Sequence, residues 1–133
     1  MPWDFNDERK AKKAQAWIRD HKPLWLIGSP MCAAFSQMQN INFSRMNPHD
    51  VKRVIEYGTR HLECCIELYN MQTRHGMLFL HDHPASAKSW ANAGIEKLMS
   101  RPGVHTVQWD LCQFGMTTRE GDIDGQVRNA LNL

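Results

Sequence analysis

The sequence has little of what marks membrane, secreted or disulfide-stabilised proteins. No apolar stretch approaches the roughly 18 residues that a membrane-spanning helix needs. The four cysteines, at positions 32, 64, 65 and 112, include no Cys-x-x-Cys pair. This spacing predicts no disulfide framework and indicates a reducing compartment. The start of the chain, MPWDFNDERK, is too polar for a signal peptide, so we expect a cytoplasmic protein without a targeting signal or membrane contact.

An excess of charge of one sign is also lacking. Sixteen Lys and Arg residues against fourteen Asp and Glu residues leave a net charge of +2, which is too small to imply an acidic partner. The basic cluster ERKAKKAQAWIR has the composition of a solvated helix face. Hydrophobic residues make up 42% of the chain and charged residues 23%, as in soluble globular proteins. The length predicts a single domain, 1–133, able to bury a core of ordinary size.

Helix signals and short apolar runs alternate along the chain. Amphipathic segments that begin at an N-cap residue and end at proline or glycine indicate helices, and short apolar runs bounded by turn residues are typical of buried strands. A polar loop, 29–46, is long enough to indicate a functional or mobile segment. Predicted helices cover 6–21, 48–75 and 94–100, predicted strands cover 24–28, 77–82 and 104–110, and a turn with a short helix is predicted within 117–133.

Capping residues define the two long helices. Asn6 or Asp4 is the candidate N-cap of the first helix. Asn47 is the candidate N-cap of the second, and Gly76 can close its end. Gly58 lies inside the second helix, where we expect that it can introduce a kink.

The order αβαβαβ predicts an α/β fold, a three-layer Rossmann-like parallel sheet with right-handed crossovers. Ligands of such sheets bind beyond the carboxyl ends of the strands. Several reactive side chains follow the predicted strands and are therefore expected to meet at one rim. They are Cys32 after the first strand, His81, Asp82 and His83 at the end of the second, and Asp110 and Cys112 at the end of the third.

Cys32, in the loop GSPMC, has two interpretations. A thiolate there could act as a nucleophile if a helix N-terminus, a cation or a local base lowered its pKa. Alternatively, Cys32 is a small buried hydrophobic residue. The position directly after a predicted strand gives the two interpretations similar weight.

The histidines raise the alternative of a metal site. His81 and His83 flank Asp82, and Cys32 and Cys112 could add sulfur ligands for a zinc-dependent hydrolase. The ligands come singly, without the paired spacing of zinc motifs, which favours hydrogen-bonded histidines at a strand end. A further alternative is nucleic-acid binding without chemistry by SQMQNINFSRMN, 36–47, whose amides and arginine could contact phosphates and bases but are also ordinary loop residues.

The segment GSPMCAAFSQ, 28–37, resembles the catalytic loop of the cytosine-C5 DNA methyltransferases, whose usual form is G-G-P-P-C-Q-x-F-S. FLHDHP, 79–84, resembles that family's next motif, an apolar strand ending in Glu-Asn-Val, with Asp82 in place of the glutamate and His83 in place of the asparagine. CQFGMTTRE, 112–120, faintly resembles the segment F-G-V-P-Q-x-R. In the first motif Gly28, Pro30, Cys32, Phe35 and Ser36 match at the same spacing, whereas Ser29, Met31 and Ala33 depart from the pattern.

The likeness is closer to a divergent methyltransferase-like group found in viral and mobile-element proteins. SQMQNINFSRM, HPASAKSW and RPGVH fit the pattern of that group, and the likeness covers roughly residues 22–116. The resemblance implies an enzyme that transfers a methyl group from S-adenosylmethionine to C5 of cytosine in DNA. By resemblance, Cys32 adds to C6 of a base flipped out of its stack, and Asp82 supports N3 and the amino group. Substrate contacts are implied at Gly28, Ser29, Pro30, Phe35, Ser36, Gln37, His83 and Arg45.

The sequence has no glycine-rich methyl-donor motif before Leu24. We therefore expect a partial methyltransferase-like domain, the catalytic middle of the fold without its cofactor half. It would be a fragment, one half of a split enzyme, or a remnant that binds nucleic acid or protein without catalysis. Since a small sheet leaves its edges unpaired, we also expect a homo-oligomer or a second chain that completes the sheet.

Overall fold

The computed structural model describes residues 4–108 and the backbone of two further strands, 117–120 and 123–126. Two short 3-10 turns, Cys32–Ala34 and Lys88–Ala91, interrupt the connections that follow the first two strands. The helices are α1 (Glu8–His21), α2 (Gln39–Phe43), α3 (Pro48–Arg74) and α4 (Ala93–Met99), and the strands are β1 (Trp25–Gly28), β2 (Leu78–His81), β3 (Thr117–Glu120) and β4 (Ile123–Gln126).

Side-chain capping determines where α1 begins. The N-cap is Asp7 rather than Asn6 or Asp4, and its carboxylate accepts a hydrogen bond from the backbone N–H of Arg9 at 3.0 Å. At the other end Lys22 takes a left-handed conformation with φ of 43°. The helix therefore ends at His21, and Lys22 separates it from Pro23. The helix ends where the sequence predicts, but it begins two residues later than the predicted start at residue 6, and the predicted capping residue was wrong.

The 27 residues of α3 form the longest element. Asn47 caps it as predicted, accepting a hydrogen bond from the N–H of His49 at 2.9 Å, and Gly76 follows its end with φ of 69°. The helix continues without interruption through Gly58. A Cβ on Gly58 would lie 2.4 Å from the Cβ of Ala34, so this glycine allows the first 3-10 turn to lie directly on α3.

The two strands β1 and β2 pair in parallel, with α3 as their crossover. Trp25 is in register with Leu78, and Gly28 with His81. The predicted three-layer Rossmann-like sheet is wrong, because the parallel sheet among the described residues has two strands and the fold is mostly helical.

The predicted third parallel strand is also missing from its described part, residues 104–108. Alternation of apolar and polar residues predicts a strand only if a neighbouring strand is there to pair with. Residues 104–106 instead line a small cavity beside Phe79 and His81. Residues 109 and 110, the end of the predicted strand, lie outside the described residues.

The tail contains a hairpin where a turn and a short helix were predicted. β3 and β4 are antiparallel, with Thr117 opposite Gln126 and Glu120 opposite Ile123. The dipeptide Gly121-Asp122 that connects them in the sequence is itself a hairpin signal, so the prediction missed this pattern. Residues 127–133 lie outside the described residues.

The core lies between the helices and one face of the parallel sheet. α3 has two apolar sides, and each of them packs against a different neighbour. One group joins Cys64 and Leu68 of α3 to Ala14 and Ile18 of α1, and a second group joins Leu62, Cys65, Ile66 and Tyr69 of α3 to Ile95 and Leu98 of α4. Leu26 of β1 contacts both groups, and Phe79 of β2 contacts the second.

Candidate functional site

The carboxyl ends of β1 and β2 bring two predicted site residues together. The backbone N–H of Asp82 donates to the carbonyl of Gly28 at 2.9 Å, which extends the parallel ladder by one bond. The hydroxyl of Ser29 donates to Oδ2 of Asp82 at 3.4 Å. Ser29 is exposed and Asp82 is half-buried, so the carboxylate lies at an accessible rim of the sheet.

Cys32 begins the first 3-10 turn, four residues beyond the end of β1. Its thiol is free and its side chain is half-buried, which does not fit the alternative of a fully buried hydrophobic residue. The carbonyl of Cys32 accepts hydrogen bonds from the N–H groups of Phe35 and Ser36, both at 2.9 Å. The carbonyl of Phe35 in turn accepts from the N–H of Lys88 at 2.9 Å, so the turn that carries the thiol is tied to the segment after β2.

Gly28 provides a close approach between β1 and α3. A Cβ built on Gly28 would lie 1.9 Å from Oη of Tyr69. Tyr69 is only 1% exposed, and its ring stacks on Phe79 with centroids 4.8 Å apart, so it cannot swing aside. The glycine shared with the methyltransferase pattern is therefore required here by packing at the strand end.

Two buried histidines lie on the inner side of the same strand end. Nδ1 of His81 is 3.0 Å from Oη of Tyr69, and Nδ1 of His83 is hydrogen-bonded to Oγ of Ser89. The Nε2 atoms of both rings are buried without a hydrogen-bond partner in the described part of the chain. Loss of solvent lowers the pKa of each imidazole from 6.5 to about 4, and the neighbouring His83 further lowers that of His81. Both rings are therefore neutral at neutral pH.

The two histidines and Asp82 face opposite sides because side chains alternate along an extended segment. His83, which the resemblance assigns to the substrate, is 1% exposed and meets Phe35 edge-on with ring centroids 6.1 Å apart. His83 therefore packs against the buried side of the loop that carries Cys32. The carboxylate of Asp82 is left as the group that β2 contributes to the accessible rim.

The remaining predicted contacts lie along the loop after Cys32. Pro30 is buried, and Oγ of Ser36 accepts a hydrogen bond from the N–H of Met38 at 3.3 Å. Gln37 and Arg45 are exposed on either side of α2, which the sequence did not predict within this loop.

A metal centre is not formed by the residues that the structure describes. No three His, Cys, Asp or Glu side chains in that part of the chain come together in an arrangement that could hold a metal ion. The predicted candidates Asp110 and Cys112 lie outside the described residues.

A cleft of about 480 Å³ lies behind the turn that carries Cys32, between this turn and the first half of α3. Cys32 itself is not among the lining residues. Desolvation lowers the pKa of His61, whose ring lies 5.4 Å from that of Phe5. The lining consists of Met31, Ala33, Ala34, Val54 and Gly58 with the polar residues Asp50, Arg53, Tyr57 and His61.

The described residues do not fit S-adenosylmethionine by themselves. Donor and dinucleotide sites on parallel sheets use a glycine-rich turn that leads from a strand into the N-terminus of a long helix. Here β1 and β2 are each followed by a 3-10 turn, of three residues in one case and four in the other. The described part of the chain therefore does not provide a methyl-donor site of this type.

Three residues of the site were missed by sequence reasoning. Tyr69 lies at an apolar position of α3, and nothing in its spacing predicts that its hydroxyl reaches the strand end. Ser89 and Lys88 lie in HPASAKSW, which fits the pattern of the methyltransferase-like group, but no role was predicted for either side chain. The ammonium group of Lys88 donates to Oδ1 of Asn40 at 2.8 Å and so links this segment to α2.

Comparison of the chain with protein-family models, curated proteins and solved structures finds no match. In the described part of the chain, no helix combines the length and apolar character needed to cross a membrane.

Proposed function

We propose that Ser29, Cys32 and Asp82 together form a rim that binds a cytosine base flipped out of DNA, and that the thiolate of Cys32 adds to C6 of that base. The hydrogen bond between Ser29 and Asp82 carries this proposal, because it places a carboxylate beside the start of the loop that holds the thiol. The matching order of the two motifs in the sequence supports the same assignment.

The chemistry requires a nucleophile and a carboxyl group on one ring. C5 of cytosine reacts poorly with electrophiles until a nucleophile adds to C6. When the sulfur–C6 bond forms, the C5=C6 double bond opens and electron density moves to C5 and N3. A carboxyl group at N3 and the exocyclic amino group stabilises this charge, since it supplies a proton or hydrogen bond to N3 and accepts one from the amino group. Asp82 is the candidate for this role, and Ser29 is positioned to orient its carboxylate.

Complete methyl transfer also needs a donor site, which the described residues do not provide. We therefore propose a base-binding and thiol-addition site of the cytosine-C5 methyltransferase type, with donor binding supplied outside the described residues. The second candidate is a nucleic-acid-binding module without chemistry. The exposed segment 36–47 favours it, since its amides and Arg45 are accessible for contacts with phosphates and bases.

Covalent trapping tests the addition step without a methyl donor. The probe is a hairpin DNA in which 2-pyrimidinone replaces one cytosine, because this base is activated for thiol addition at C6. Since the target sequence is unknown, hairpins with a set of different flanking sequences are tested. We expect intact-mass spectrometry to detect one DNA adduct per wild-type chain and none for Cys32→Ala. Cys64→Ala is the matched control, because Cys64 is a free thiol buried in α3 and should leave the adduct unchanged.

Binding measurements separate the two candidates. If wild type binds the hairpin but forms no adduct, and Cys32→Ala binds equally well, the protein is a binding module rather than a nucleophile. If the adduct forms, Asp82→Asn should slow it more than Ser29→Ala, because the carboxyl group contacts the ring while the hydroxyl only orients it. Absence of both binding and adduct over all flanking sequences would refute both candidates.

A further inference from the structure

One face of the parallel sheet carries large apolar side chains that no described part of the chain covers. Alternation along β1 and β2 directs Leu26 and Phe79 into the core and their neighbours outward. We call the outward group the open face. It consists of Trp25, Ile27 and Leu78, which are 52%, 69% and 46% exposed, and the half-buried Leu80.

The open face is unusual for this type of sheet. Parallel sheets are normally covered on both faces, because their crossover helices pack on them. Here α3 covers one face, with α1 and α4 beside it, and no described element covers the other. Single exposed hydrophobic residues are common on protein surfaces, whereas a contiguous apolar patch marks an interaction site. The open face is such a patch, since Trp25 and Leu78 are register partners and Ile27 follows on the same side.

We propose that a second copy of this chain covers the open face and forms a twofold-symmetric dimer with the two sheets facing each other. In a twofold interface each surface meets itself, so a charged surface would bring like charges together. None of the four residues of the open face is charged, and the patch is therefore compatible with its own copy. The proposal does not depend on the chemistry at the rim.

The area of the open face agrees with a dimer of moderate stability. The exposed fractions of Trp25, Ile27 and Leu78 correspond to roughly 300 Å² of apolar surface, taking typical burial values for such side chains. A standard interface buries about 800 Å² on each partner, and a little more than half of this area is apolar. The open face thus supplies most of the apolar area such an interface needs, and we expect a dimer that dissociates in the micromolar range.

Analytical ultracentrifugation over the low to high micromolar range tests the proposal. We expect wild type to shift from monomer to dimer as its concentration rises. Ile27→Lys should weaken the dimer by roughly a hundredfold or more, because it would bury an unpaired charge on each copy. Leu78→Lys, at the register partner of Trp25 on β2, should act in the same direction.

Ile41→Lys is the matched control. Ile41 is 60% exposed on α2, outside the open face, so its substitution should leave the association unchanged. Circular dichroism verifies that each variant is folded. A wild type that stays monomeric over the whole range would overturn the proposal, as would a dimer that Ile41→Lys dissociates and Ile27→Lys does not. In that case the partner of the open face would be a different protein.

Discussion

Tyr69 and His81 join the longest helix to the end of the sheet through a buried hydrogen bond, with Oη and Nδ1 3.0 Å apart. The same hydroxyl fills the space above Gly28, and the ring of Tyr69 stacks on Phe79. One side chain of α3 therefore fixes the position of both strands at the rim where Ser29 and Asp82 meet.

Replacing Tyr69 with phenylalanine should lower the free energy of unfolding by about 1–3 kcal/mol, because it leaves Nδ1 of the buried His81 without its partner. Urea denaturation measures this change. Tyr57→Phe is the control, since Tyr57 is exposed and donates to Asp4 at the surface, and we expect an effect within about 0.5 kcal/mol. Equal effects of the two substitutions would contradict a structural role of the buried bond.

Gly58→Ala tests the contact between α3 and the turn that carries Cys32. Alanine favours a helix over glycine by about 1 kcal/mol, so an unconstrained site would be stabilised. The new Cβ would instead overlap the Cβ of Ala34, and we expect a net loss of about 1–3 kcal/mol. Thermal unfolding of Gly58→Ala and of the double variant with Ala34→Gly measures the effect. The second substitution should restore stability, and a stabilised single variant would show that the turn does not lie on the helix.

Gln72 should be another sensitive position. It is fully buried, and its Nε2 donates to the carbonyls of Pro23 and Leu78, both at 2.9 Å, at the beginnings of the two strands. Gln72→Leu removes both donors and should destabilise the protein by about 1–3 kcal/mol in chemical denaturation. Gln15→Leu, at an exposed site where the amide donates to Glu67, should change stability little. A neutral Gln72→Leu variant would mean that the carbonyls find other donors.

The buried histidines predict loss of stability in mild acid. Unfolded histidine binds a proton near pH 6.5, whereas the folded pKa of His81 and of His83 is about 4. The unfolded state therefore binds more protons between these values, so stability is fully present above about pH 6.5 and falls as the pH decreases towards 4. Each histidine should contribute up to about 3 kcal/mol to this loss.

Urea denaturation at a series of pH values measures this dependence. His83→Asn should flatten the curve between pH 6.5 and 4, because asparagine can keep a bond to Ser89 and does not titrate. His49→Asn, at an exposed residue in the first turn of α3, should leave the slope unchanged. If the free energy of unfolding still falls between pH 6.5 and 4 after replacement of His83 and also after replacement of His81, other titratable groups cause the effect.

Sequence reasoning located most elements but not their assembly. Capping and termination signals placed α1 and α3 to within one or two residues, since these signals act over a single helical turn. The apolar runs at β1 and β2 were recognised for the same local reason. The run at 104–108 has an equally suitable pattern and yet forms no strand, because a strand depends on a partner that no local pattern specifies.

The candidate site, too, could be predicted from the sequence only in part. The order of Gly28, Cys32 and Asp82 predicted that a thiol and a carboxylate follow neighbouring strands, and the structure places Asp82 beside Ser29. The exposure of His83 could not be predicted, because alternation along the segment gives only relative sides. The packing of Phe35, Trp90 and Ser89 determines which side is inside.

By itself, then, the sequence determined α1, α3 and α4, the two apolar strands β1 and β2, and the residue types that stand at their ends, because caps, turns and hydrophobic periodicity act between near neighbours. Among the described residues, the tertiary structure decided that the parallel sheet has two strands, that His81 and His83 face inward, and that the open face is uncovered. These features depend on contacts between segments far apart in the chain, such as Tyr69 with His81 and Ala34 with Gly58, whose close packing cannot be read from spacing alone.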